Sequence, residues 1–179
     1  MTTLNHQHQA LLAYCRDVLA QSADVVRQHV HFASPFSAHI GPHIRHTIEH
    51  FDALQKALDG AVPNRVLDYD SRARDVRIET DPAFALARLR GLQEWLCADA
   101  WCDASFSLAL AVHLRGGQQG EHNFVSQSSV ARELTFLASH TVHHFAILQG
   151  YARQEGKTLG EGLGKAPATV AFESRTVAA

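Results

Sequence analysis

The sequence is poor in cysteine, with three in 179 residues: Cys15, Cys97 and Cys102. An odd number cannot close a disulfide framework, and Cys97 and Cys102 lack the C-x-x-C spacing of redox and zinc motifs. All three are therefore expected to be buried, unreactive thiols. Long hydrophobic runs are missing as well, so nothing reaches the about eighteen consecutive apolar residues that a membrane span requires. Residues 1–8 contain neither the basic nor the apolar region of a secretion signal, and a cytoplasmic protein is expected. No charge predominates, since 16 Lys+Arg oppose 18 Asp+Glu for a formal net charge of −2. Without blocks of like charge, neither nucleic acid nor an anionic membrane has an electrostatic footprint, and a small molecule is the expected partner.

Internal repeats, low-complexity tracts and linkers are also lacking, which predicts a single domain over residues 1–179. With 46% hydrophobic and 19% charged residues, the chain can bury a core of its own. What it has in excess is histidine, at thirteen more than any aromatic type, and helix propensity offers no reason for it.

Apolar residues at helical spacing predict a first helix from Leu4 to about Val30 (Leu11, Leu12, Cys15, Val18, Leu19, Val25, Val26), ending before Ser34-Pro35. A second is predicted from Ser37 to Leu58 on the stripe Ile40, Ile44, Ile48, Phe51, Leu54 and Leu58, with Asp59-Gly60 as its stop. Positions 60–80 have no sustained period and read as a long irregular connection, of the kind that covers a site. Asp81-Pro82 opens a third helix that continues to about Ala100. Residues 106–114 then alternate apolar and small or polar side chains, which predicts a strand. Gly116-Gly117 marks a turn and 123–126 a second strand, which together make a hairpin. Ser128 or Ser129 caps a fourth helix through Leu148, ended by Gly150 or somewhat later, and the tail after Gly156 is expected to run along the surface. The fold class expected from these elements is all-α: a four-helix bundle with a short β-hairpin inserted before its last helix.

Four histidines, His39, His43, His46 and His50, fall on one side of the second helix, beside its apolar stripe. On the fourth helix His144 lies within the stripe and His140 at its border, while His143 points elsewhere. An i, i+4 pair of histidines presents two ring nitrogens to one point above a helix, so His140 and His144 form the core of a candidate metal site. A third ligand must come from elsewhere, and the second helix is the obvious donor. By helical rotation His43 and His50 are nearer the stripe than His46. Glu133 shares a face with His140 and is a candidate to orient a ligand by accepting its second N–H.

The segments Ile40-Gly-Pro-His-Ile-Arg-His46, Asp68-Tyr-Asp-Ser-Arg-Ala-Arg-Asp75 and Arg132-Glu-Leu-Thr-Phe-Leu-Ala-Ser-His-Thr-Val-His-His-Phe145 together resemble the DinB-like family of bacterial metal-binding four-helix bundles, which includes a mycothiol-dependent maleylpyruvate isomerase. The resemblance spans most of the chain. It implies His46, His140 and His144 as metal ligands, with a homodimer as the family's habit. It also implies a small thiol or an electrophile as partner, and hence a possible metal-dependent thiol S-transferase.

Three imidazoles leave one coordination position open, as catalytic rather than structural sites do. A divalent ion there supplies a thiolate or a metal-bound water as nucleophile at neutral pH, so thiol transfer and hydrolysis are the two expected reactions. The alternative is a non-catalytic transition-metal-binding or stress-response protein, which would close the sphere with a fourth side chain such as His43, His50 or Glu133. Imidazole suits zinc, nickel, copper and iron alike, and zinc is favoured by abundance, with nickel or iron as alternatives. A low-molecular-weight thiol is the possible cofactor. Candidate catalytic residues are His50 and Glu133, as base or ligand support, and Tyr69 and Arg72, as substrate contacts on the 68–75 loop. His6, His8, His29, His31, His113 and His122 are expected to be exposed, and Trp95 and Trp101 to pack.

Overall fold

Asn5 accepts a hydrogen bond from the His8 amide and so caps helix α1 (His6–Gln28), whose buried face carries Leu12, Cys15, Val18, Leu19, Val25 and Val26. These positions are from a computed structural model that describes residues 4–59 and 65–177. Two 3₁₀ turns, at His29–His31 and Phe36–Ala38, lead into α2 (Ile40–Asp59), which buries Ile40, Ile44, Ile48, Phe51 and Leu54 at the spacing the sequence predicts. Strand β1 (Val66–Asp68) and the short helix α3 (Val76–Thr80) follow. Asp81 accepts from the amides of Ala83 and Phe84 to cap α4 (Pro82–Leu96), with Pro82 in the first turn, where its missing N–H costs nothing. After the one-turn α5 (Asp103–Phe106), strands β2 (Ala109–Gly116) and β3 (His122–Ser129) form the hairpin. Ser129 caps α6 (Val130–Gln154), and α7 (Pro167–Val177) lies on the exposed tail.

The all-α expectation is overturned by the sheet. β1 pairs in parallel with β2 (Leu67 opposite Val112), and β2 pairs antiparallel with β3, so the hairpin belongs to a three-stranded mixed sheet in the order β1-β2-β3. Together with α3, α5 and α7, this makes the fold an α/β mixture rather than a bundle of four helices. β1 escaped the sequence because three residues carry no readable period. Its ladder forms only against a strand far along the chain, aided by the Ala111 amide donating to the Arg65 carbonyl at 2.9 Å. Leu67, Leu110 and Val112 are buried with the helices, whereas Leu114, Phe124 and Val125 stay exposed.

Several bounds move. The third helix stops at Leu96 rather than near Ala100, the first strand starts at Ala109 rather than Phe106, and β3 is longer than 123–126. The irregular connection expected over 60–80 contains β1 and α3, and its residues 60–64, with the Gly60 stop and Pro63, lie outside the described residues. Only Cys15 is a buried thiol, its pKa pushed up to about 12 by burial; Cys97 and Cys102 are exposed, contrary to expectation. His6, His31 and His122 are exposed, but His8, His29 and His113 are half-buried, and His8 stacks on Phe106. Trp95 and Trp101 meet edge to face and pack, partly buried, against the core. Among the described residues no helix is long and apolar enough to cross a membrane.

Gly41 in the first turn of α2 explains how α3 is seated. A Cβ there would stand 2.1 Å from the Glu79 carbonyl oxygen, so α2 and α3 touch backbone to backbone. Gly91 in α4 has nothing within 4 Å of the same position. Gly41→Ala is expected to cost about 1–3 kcal/mol by overpacking. Gly91→Ala is expected to add roughly 0.5–1 kcal/mol through helix propensity. Urea unfolding of the two variants checks this, and equal effects would contradict the close approach.

Candidate metal centre

The centre forms where α2 crosses α6. The apolar stripe of α2 turns Ile44, Ile48 and Phe51 into the core and leaves His43, His46 and His50 along its border. On α6 the buried Leu137, Thr141, Phe145 and Leu148 face the same core, which sets His140 and His144, one turn apart, opposite the α2 histidines. His46 and His140 bring their Nε2 atoms to 2.8 Å, and His144 Nε2 lies 3.2 Å from His140 Nε2. One nitrogen from each of the three rings lies within 4.8 Å of the other two, so the group could hold a metal ion. The donor set fits that role, being three half-buried side chains that offer nitrogen lone pairs and no competing charge of their own.

Electrostatics keeps these rings neutral. Burial, the neighbouring His50, the Arg72 guanidinium and the other rings hold the His46 pKa down at about 3. Burial and repulsion from His46, His140 and His43 hold His144 at about 3. His140 is lowered by burial, His143 and Arg72. Neutral imidazole is the form that binds a metal, so protons do not compete for the site near neutral pH.

The remaining histidines have distinct places. His43 Nδ1 lies 2.7 Å from His144 Nδ1, so the outer nitrogen of His144 is engaged while its Nε2 faces His140. His50 donates from Nδ1 to the His46 carbonyl at 2.7 Å, which leaves Nε2 to accept from Arg72 Nη1 at 2.9 Å. Both of its nitrogens are taken, and burial is the main reason its pKa falls to about 3. His143 is exposed. The set brought together is thus His46, His140 and His144, as the family resemblance implies; His43 and His50, which helical rotation favours, stand behind it. The sequence alone gave no sign that the two would engage His144 and Arg72.

Three candidate roles change. Tyr69 is only 4% exposed and its hydroxyl donates to Glu133 Oε2 at 2.7 Å, so it is a wall of the site rather than a free substrate contact. Its ring stacks on His50 with centroids 5.1 Å apart. Burial raises its pKa well above the usual phenol range, with the Glu133 carboxylate adding to the effect. Glu133, fully buried, accepts from Tyr69, from the Ser128 hydroxyl and from Arg132 Nη1 at 2.7 Å, and so supports Tyr69 rather than a histidine. Arg72 is mostly buried and braces His50, with its Nε 3.8 Å from Glu49.

No family model matches the sequence, and no solved structure matches the chain. The chain is similar to FK506-binding protein 5 of Rhizopus delemar, 26% identical over 122 residues. The aligned stretch is 68% of this chain and 31% of the fungal protein, so the chain spans about a third of the length of the curated relative it matches.

Proposed function

We propose that the protein holds a divalent transition metal on His46, His140 and His144 and uses it to act on a small molecule, by thiol transfer or by hydrolysis. The observation that carries this reading is the convergence of three Nε2 atoms from two helices, with separations of 2.8 and 3.2 Å along the chain of contacts. Such packing of ring nitrogens is unfavourable for imidazolium and suited to a shared cation. An ion there supplies Lewis-acid activation of a thiol or a water, zinc being favoured by abundance and nickel or iron the alternatives. The ligand pattern supports kinship with the DinB-like family, whose members pair such a site with thiol chemistry, and a cytoplasmic setting accords with a low-molecular-weight thiol as co-substrate.

The protein's own groups have defined tasks in this reading. His43 positions His144 through the contact between their Nδ1 atoms, and the His46 carbonyl with Arg72 holds His50 in one tautomer. Tyr69, fixed by Glu133, closes one wall and limits water access beside His50.

A second reading, metal binding without turnover, is favoured by the nearness of His50, whose ring centroid is 4.1 Å from that of His46 and 5.0 Å from that of His140. It is a candidate fourth ligand if Arg72 releases it. The discriminating experiment profiles zinc-loaded protein with low-molecular-weight thiols against electrophiles, and with hydrolysable esters and amides. A rate above background that disappears in His144→Ala is expected. No rate with any thiol or hydrolysable substrate would leave the binding-only reading in its place.

A further inference from the structure

The order β1-β2-β3 leaves β3 as an edge strand, and its pairing with β2 runs from His122 to Ser129 without a bulge. Among the described residues, the N–H and C=O groups that β3 turns away from β2 have no hydrogen-bond partner between His122 and Ser128. Its sequence, His-Asn-Phe-Val-Ser-Gln-Ser-Ser, contains no Lys, Arg, Asp, Glu or Pro. Edge strands are ordinarily blunted by charges, Pro or bulges, because an open row of backbone groups is a template for another strand. β3 has none of these defences along its whole length.

The side chains of the hairpin suit an added strand as well. On the face turned to the helices, Leu110, Val112 and Leu114 lie opposite Ser128, Ser126 and Phe124. Leu110 and Val112 are buried there, whereas Leu114 and Phe124 are exposed. Beside them is an open groove of about 520 Å³ lined by Val112, Leu114, Ser126, Ser128, Arg132 and Glu133. On the other face Val125 is 60% exposed.

We propose that β3 pairs antiparallel with β3 of a second copy of this chain, about a two-fold axis at Val125, to make one six-stranded sheet. Opposite residues of an antiparallel pair share a face and a hydrogen-bonding phase, so a strand pairs with its own copy only odd residue to odd and even to even. With the axis at Val125, Phe124 falls opposite Ser126 of the other copy, Asn123 opposite Gln127 and His122 opposite Ser128. The two exposed Val125 side chains meet, and Phe124 of each copy lies beside Ser126 at the mouth of the other's groove. The two Phe124 rings stand in the diagonal relation, about 7–8 Å apart, that aromatic side chains bridge. An axis at Ser126 would instead set Ser126 against Ser126 and Val125 against Gln127, which leaves the apolar side chains without apolar partners. The bulky half of the strand thus fits the small half of its own copy, which singles out a second copy of the chain as the occupant.

The ladder over 121–129 is about 30 Å long, at the small end of specific interfaces, so sedimentation velocity of the full chain over a concentration series is expected to show a dimer with a Kd on the order of 10 μM. Val125→Lys, at an exposed position, sets two like charges opposite each other on the axis and is expected to weaken association roughly tenfold or more. Val125→Glu should do the same alone, and an equimolar mixture of the Lys and Glu variants should associate again, which a merely structural defect would not allow. Val30→Lys removes an exposed apolar side chain outside the sheet and should change nothing. A chain that stays monomeric throughout the series would overturn the proposal. So would a dimer indifferent to Val125→Lys, or a Lys and Glu mixture that associates no better than either variant alone.

Discussion

His140→Ala and His144→Ala are each expected to abolish stoichiometric zinc binding while leaving the fold in place. Both rings are half-buried at the border of α6, so their removal opens the crossing with α2 without emptying the core formed by Leu137, Thr141 and Phe145. Either change leaves two imidazoles, too few to outcompete water and buffer for a divalent ion. The loss should exceed the roughly 10–100-fold that removing a ligand's outer hydrogen-bond partner costs. His43→Ala supplies that smaller effect, because His43 touches His144 through the nitrogen turned away from His140. His143→Ala, at an exposed position, should change nothing. Competition with a chromophoric zinc chelator measures all four variants on one scale. A set of equal affinities, or a His143 effect as large as that of His144, would show that the ion sits elsewhere.

The largest effect on stability is expected at Glu133. Three donors converge on its fully buried carboxylate, from Tyr69, Ser128 and Arg132. Glu133→Ala strands the Tyr69 hydroxyl in the core and removes the partner of Arg132. The cost is about 3–5 kcal/mol, the sum of the stranded hydroxyl and the cavity left by the side chain, because Arg132 is exposed and water takes over its solvation. For a chain of this length that corresponds to a fall in Tm of roughly 6–20 °C. Tyr69→Phe removes a single donor and keeps the ring stacked on His50, so about 1–2 kcal/mol is expected. Calorimetry of both variants checks the order. A Glu133→Ala cost no larger than that of Tyr69→Phe would mean that the carboxylate holds only the one hydroxyl.

The helices were legible because their signals are local. Asn5, Asp81 and Ser129 cap helices where polar residues precede apolar stripes, and the stripes of α1, α2, α4 and α6 are the buried faces. The sheet was not, because β1 is three residues whose partners lie in β2, and a parallel pairing leaves no mark on either sequence. The histidine set was readable in part. An i, i+4 pair on α6 declares itself, whereas the choice among His43, His46 and His50 depends on how deeply each position of α2 meets α6. Rotation about an isolated helix places His43 and His50 nearest the core, and there they find His144 and Arg72 as partners, while His46 at the border reaches His140. Tyr69 and Arg72 read as substrate contacts and Glu133 as a base or ligand support because their chemistry allows it, whereas burial ties Tyr69 to Glu133 and Arg72 to His50.

The most direct measurement is the metal content per chain of protein purified without an immobilised-metal column, stripped with chelator and dialysed against zinc. About one tightly held ion per chain is predicted, and none in the double variant His140→Ala, His144→Ala. Protein that takes up no zinc, nickel or iron under these conditions, or a double variant that still holds one ion per chain, would contradict the assignment of His46, His140 and His144 as a metal centre.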